Sequence, residues 1–306
     1  MSTVRGAAAI SAGTALIAVG DVGVALLADR VGLWQFHATR SAMILPLAIG
    51  LAAALGRLGL LRVAAPRRVA ERTAFSVGAL MLYFAALPAV GISQAAAGIF
   101  SSPLWVVVIA GTVFGERIGP LRLVALLIGL GGMALVLGLT LGPPEPMGLV
   151  AIGAGILYAL SVIWTRAYCA SETPAALAVW QFGGLLVAGL LGLAAQPLLA
   201  GLLSATPGAE FATRPWAPPD AALLGAIFAI GVAGILATGL MAAGYRAGPS
   251  SIMGLFDFTF LLWAPFAAWA LLGERITPET ALGMGLLALA GILAALAGAR
   301  QRHETR

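Results

Sequence analysis

Apolar residues in this chain come in long unbroken runs, not in the two-residue alternation of a half-exposed strand. Each run is about 20 residues long, the length that crosses a hydrocarbon layer as a helix. Ten helices are predicted, near 7–28, 34–56, 73–90, 94–114, 121–141, 147–167, 174–195, 220–244, 250–272 and 279–299. Gly and Pro inside several runs fit this reading, because neighbouring helices in a bilayer re-satisfy freed backbone groups. The longest connector, Gln196 to Pro219, holds Pro197, Pro207, Pro215, Pro218 and Pro219 and reads as an external loop, with Trp216 at the interface.

Composition removes the soluble alternatives. Of 306 residues, 61% are hydrophobic and 9% charged, and the mean hydropathy is +1.02. A soluble fold of this length could not cover so much apolar surface. All 17 basic residues are Arg. Without Lys there is no Walker A phosphate loop and no Schiff-base chemistry. The formal charge of +5 reads as topology rather than nucleic-acid binding. With the N-terminus in the cytoplasm, thirteen Arg fall on the cytoplasmic side, including Arg57, Arg62, Arg67, Arg68 and Arg72, while Arg30, Arg214 and Arg275 fall outside. Both termini are therefore expected in the cytoplasm, in an inner (plasma) membrane. A cleaved signal peptide at the first run is disfavoured by Asp21, which interrupts it. The single Cys169 allows no internal disulfide, and His37 and His303 are too far apart to suggest a multi-His metal site.

The chain also repeats itself. Gly115-Glu116-Arg117-Ile118-Gly119-Pro120 recurs 158 residues later as Gly273-Glu274-Arg275-Ile276-Thr277-Pro278. Trp105 and Trp263, and Ser93 and Ser251, share that offset. Five helices per half is an odd number, so the second half must enter the membrane the other way up. The expected fold is an all-α membrane protein, its ten transmembrane helices forming two inverted five-helix repeats, 1–143 and 144–306, around a central cavity.

These segments resemble the drug/metabolite transporter superfamily in its ten-helix EamA-type branch. Besides the two Gly-Glu-Arg-Ile segments, the resemblance is carried by Tyr83-Phe84-Ala85-Ala86-Leu87, Gln94-Ala95-Ala96-Ala97, Pro103 and the run around Pro265. It implies a basket in which helices one, three, four, six, eight and nine line a cavity while five and ten brace the outside. Members of the superfamily export amino acids and drugs or import metabolites such as S-adenosylmethionine or riboflavin. Some uptake-type members carry Lys four residues after the position of Asp21; this chain has Ala25.

Ionisable residues inside a span are costly and face a cavity or a partner. Asp21 and Asp257 read as proton sites or contacts for a substrate amine, against structural hydrogen bonds as the plainer reading. Arg40 is placed against a substrate carboxylate or Asp21, against snorkelling to the external interface. Glu116 and Glu274 end repeat-equivalent helices and read as caps or ion pairs at a turn, with gating as the second role. Tyr83, Trp105, Tyr158, Trp164 and Trp263 are candidates to stack on a solute, and Gln94 and Ser101 to supply neutral hydrogen bonds. Trp34, Trp216 and Trp269 fit an interfacial belt, and Gly111 with Gly115 and Gly244 with Gly248 fit close helix packing.

The expected function is secondary transport of a small organic metabolite by alternating access, with export of amino acids or related amphiphiles first. Uptake of a cationic or nucleoside-like metabolite comes second. A membrane enzyme or channel is remote, because no His-Glu-x-x-His, Gly-x-Ser-x-Gly or filter motif is present. The expected partners are a small-molecule substrate, the lipid bilayer and protons, with no nucleic acid and no cofactor, for a chain acting as a monomer.

Overall fold

A long apolar segment must satisfy its backbone within itself, and a helix does so. The computed structural model describes residues 3–112, 120–136, 145–247 and 253–304, and these are helical throughout apart from short turns and connectors. The helices are α1 (Thr3–Leu27), α2 (Leu33–Ala54), α3 (Pro66–Val90), α4 (Ile92–Phe100), α5 (Ser102–Thr112), α6 (Pro120–Val136), α7 (Pro146–Tyr168) and α8 (Pro174–Ala194). They continue as α9 (Gln196–Leu203), α10 (Glu210–Thr213), α11 (Ala221–Tyr245), α12 (Phe260–Leu272) and α13 (Pro278–Glu304). Two 3-10 segments, Leu58–Leu61 and Gly254–Thr259, complete the order.

Among the described residues, seven helical stretches are long and apolar enough to cross a membrane, and three shorter apolar helices run Leu123–Val136, Phe256–Leu272 and Pro278–Leu293. The chain is a multi-pass membrane protein. Helix starts follow from local chemistry. Pro opens α3, α7 and α8, where its missing N–H costs nothing. Thr173 and Asp220 cap α8 and α11 through the amides of Ala176 and Leu223. The N-terminus of α3 has no such residue of its own. The Glu172 carboxylate accepts from the amides of Ala64 and Ala65 instead, capping α3 from the α7–α8 connector.

Three expectations change. The third helix begins at Pro66, earlier than expected, because Arg67, Arg68 and Glu71 extend it as a polar turn. The Gln196–Pro219 connector is not a bare loop but carries α9 and α10. The fourth helix is divided at Ser101, and the ninth changes its winding after Thr259. Gly91 turns the chain between α3 and α4 with φ of 82°, which only Gly adopts readily. Pro103 then has no N–H for the ladder, and the helix restarts after Ser101. In the ninth segment the 3-10 stretch ends at Thr259 and α12 begins at Phe260. Ser101 and Thr259 are 158 residues apart, the offset that relates Trp105 to Trp263.

Packing is also paired. Taking the ten apolar segments in order, advancing by five places turns most of the main packed pairs into another pair or into themselves. The α3–α7 pair corresponds to α1–α11, α4–α7 to α1–α12, and α3–α8 to α2–α11, while α2–α8, α6–α13 and α4–α12 map onto themselves. Small residues set these approaches. A Cβ on Gly98 would sit 2.6 Å from the Ala151 backbone, joining α4 to α7, and one on Gly132 would sit 2.7 Å from the Gly283 carbonyl, joining α6 to α13. Leu, Phe and Trp side chains such as Leu127, Leu191, Leu262 and Trp269 remain exposed on the outer faces.

Candidate functional site

Polar groups inside the spans gather in three places. The first lies between α1, α2 and α3. The Tyr83 hydroxyl donates to Asp21 Oδ2 at 2.6 Å. Nearby on α2, Arg40 donates to His37 Nδ1 at 3.2 Å. A guanidinium only donates, so Nδ1 accepts and the neutral ring carries its proton on Nε2. Three rings surround the Arg40 head, with Phe36, Phe84 and Phe182 centroids at 5.0, 5.7 and 5.9 Å. Arg40 is 8% exposed, so it does not snorkel to an interface as one reading expected. The aromatic cage offers a weakly hydrated guanidinium an interior site. Asp21 takes its hydrogen bond from Tyr83 rather than from Arg40.

The second place lies where the fourth and ninth segments cross. The Tyr245 hydroxyl, at the end of α11, donates to Asp257 Oδ2. Tyr158, in the middle of α7, is 40% exposed and within electrostatic reach of Asp257. Phe100 stacks on Phe260 with centroids 5.0 Å apart and planes 9° apart, and meets Phe258 edge-on at 6.1 Å. The Thr14 and Thr259 hydroxyls share a 2.8 Å hydrogen bond, and Trp263 Nε1 donates to Ser11 Oγ at 3.0 Å, so α1 closes one side. Ser101 donates to the Gly98 carbonyl and accepts from Trp105 Nε1 at 3.1 Å, so both serve the helix interruption itself. Gln94 is partly exposed and has no hydrogen-bond partner among the described residues.

The third place joins α3 to α7 and α8. Arg72 donates to Thr165 Oγ1 at 3.2 Å and Gln181 Oε1 at 3.0 Å, and Ser76 also donates to Gln181. Trp164, expected against a solute, gives its N–H to Glu71 at 2.9 Å, and Glu71 is paired with Arg67 and Arg68. Its ring packs on Phe75.

Glu274 lies apart from all three. It accepts from the Ile92 amide at 3.3 Å, capping α4 from the α12–α13 connector, and borders a cleft of about 300 Å³ shared with Ala25, Asp29, Leu87, Pro88 and Gly91. Burial raises its carboxyl above the usual carboxylate range, and the Ile92 N–H works in the opposite direction. Glu116, its sequence counterpart, lies outside the described residues, as do Ser251, Gly115 and Gly248.

Of the expected residues, Asp257, Tyr158 and Trp263 are therefore brought to one crossing. Asp21, Tyr83 and Arg40 form a separate buried group, and Trp164 and Glu274 serve contacts between segments. Sequence reasoning passed over Tyr245, His37 and Arg72. The signal for Tyr245 was available, since the chain has only four Tyr and this one ends an apolar run twelve residues before Asp257.

No protein-family model matches the sequence. A riboflavin transporter from Rhizobium johnstonii is 31% identical over 182 residues, covering 55% of this chain and 60% of that protein. The alignment thus spans less than two thirds of the relative's length. A solved crystal structure shares the fold, with a TM-score of 0.60 at 19% identity over 96% of this chain and 98% of that one.

Proposed function

We propose that this chain is a secondary transporter of small organic metabolites of the drug/metabolite transporter type. Its halves, 1–143 and 144–306, move in opposite orientation about a shared site at the crossing of the fourth and ninth segments. The observation that carries this reading is the break at Ser101 and the change of winding at Thr259, with the five-place exchange in packing. Interrupted helices at corresponding places in two halves mark the solute site in many transporters, because freed backbone groups there face a cavity. The Arg distribution supports cytoplasmic termini in an inner membrane.

The lining supports an aromatic, amphiphilic solute. Phe100, Phe258, Phe260 and Tyr158 offer ring faces, and Asp257 and Tyr245 offer polar ends. The name of the relative points to the same class, a planar heterocycle with a polar tail. An amino acid, the first expectation from sequence, needs N–H donors or a cation for its carboxylate. Arg40 is enclosed by rings and His37, and Arg72 is engaged by Thr165 and Gln181. This arrangement favours the aromatic metabolite over the amino acid. Direction follows from the gradients applied, and the assay measures it.

The test is counterflow in proteoliposomes with riboflavin, phenylalanine and choline, with and without a pH gradient. Saturable riboflavin exchange is expected. Exchange of phenylalanine in preference to riboflavin would return the reading to amino acids, and no saturable flux of any small solute would remove the transporter assignment.

A further inference from the structure

Among the described residues, two carboxylates inside the spans, Asp21 and Asp257, each accept from a phenol. Their surroundings are opposite. Asp21 is 3% exposed and Tyr83 4%, with the Arg40 guanidinium in electrostatic reach. Among the described residues, no cation is in contact with Asp257. Its Oδ2 accepts from Tyr245, while its Oδ1 is buried with no hydrogen-bond partner among the described residues.

The groups facing Asp257 can be named element by element. Tyr245 comes from α11 and Tyr158 from α7, with Arg72 of α3 beyond Tyr158. From α1 comes the neutral Thr14, hydrogen-bonded to Thr259, and from α13 Gly291, which lies against the Phe258 ring. A buried carboxylate oxygen without a donor is expensive to leave so, and a proton or a ligand donor removes that cost. The Phe100, Phe258 and Phe260 rings stand on the same segment crossing.

We propose that Asp257 Oδ1 is the acceptor on which a proton and the N–H or ammonium donor of the solute compete. In one state water on the open side delivers a proton to Asp257, forming an O–H bond and releasing the solute donor. In the other the proton leaves to water, and the carboxylate accepts from the solute. One proton is taken or released per solute, which couples the two flows. The coupling rests on the transporter reading; the assignment of the titrating acid does not.

The experiment is pH-difference infrared spectroscopy on the full chain in proteoliposomes without solute, followed by riboflavin counterflow across the same pH range. A titrating carboxylic-acid carbonyl band from Asp257 is expected in the wild type and in Asp21→Asn, and its loss in Asp257→Asn. Tyr245→Phe, which keeps the carboxylate but removes its donor, should move the midpoint to higher pH. Riboflavin affinity should fall tenfold per pH unit below the midpoint in the wild type and lose that dependence in Asp257→Asn. A band unchanged in Asp257→Asn, no titrating band left in Asp21→Asn, or an unmoved midpoint in Tyr245→Phe overturns the assignment. Absent riboflavin flux with the infrared pattern intact would instead count against the transport reading alone.

Discussion

The Tyr83 hydroxyl donates a 2.6 Å hydrogen bond to Asp21 Oδ2, tying α3 to α1 across 62 residues of sequence. Replacing Tyr83 by Phe leaves a buried carboxylate oxygen without its donor. The expected loss is about 1–3 kcal/mol of stability. Asp21→Asn keeps an acceptor for the phenol and should cost less. Thermal unfolding followed by tryptophan fluorescence in detergent compares the two, and an unchanged Tyr83→Phe protein would show that the bond contributes nothing.

Helix approach at Gly98 should be as sensitive. A Cβ there meets the Ala151 backbone at 2.6 Å, whereas one at Gly225 meets nothing within 4 Å. Gly98→Val is expected to destabilise by about 1–3 kcal/mol through overpacking. Gly225→Ala, in the second turn of α11, should be neutral or slightly stabilising. The melting temperatures of the two variants should separate clearly.

Acid should loosen the start of α11. Asp220 accepts from the Leu223 amide at 2.7 Å and pairs with Arg30 at 2.7 Å, and these contacts hold its carboxyl below the usual carboxylate range. A depressed folded value means the contribution is complete above the unfolded carboxylate pKa and is lost as pH falls through the folded one. Melting temperature should therefore drop on acidification. Asp220→Ala should show a shallower drop, and identical slopes would refute this account.

Cys169 should resist modification. Its side chain is 2% exposed, and burial, with Glu172 nearby, pushes its thiol above the usual range. The reacting species is the thiolate, so maleimide labelling at neutral pH should be slow in the folded protein and fast after denaturation. Rapid labelling of the native protein would contradict the packing around α7.

The outline of the fold was legible because hydropathy reports span length directly. Repeated Gly-Glu-Arg-Ile segments likewise gave the 158-residue offset that Ser101 and Thr259 follow. Side-chain direction was not legible. In a helix that is apolar all round, periodicity carries little information about which face is inside. Arg40 could therefore read as interfacial although it lies among Phe36, Phe84 and Phe182. Partnerships were hidden for a second reason. Trp164 with Glu71 and Asp21 with Tyr83 are 93 and 62 residues apart, and no local pattern records such pairings. Asp257 drew attention as a charge, but Tyr245 did not, because a phenol at the end of an apolar run looks like an ordinary interfacial anchor.

The fourth and ninth segments also differ from their neighbours as mechanical parts. An unbroken helix behaves as a stiff rod, so a push at one end displaces the other. The fourth segment is divided near its middle at Ser101, and the ninth changes from 3-10 to α winding after Thr259, so each has two arms of different seating. One arm can swing while the other stays seated on its neighbours. A passage built on two such segments can be unlatched at one mouth and kept shut at the other without any helix sliding along its full length.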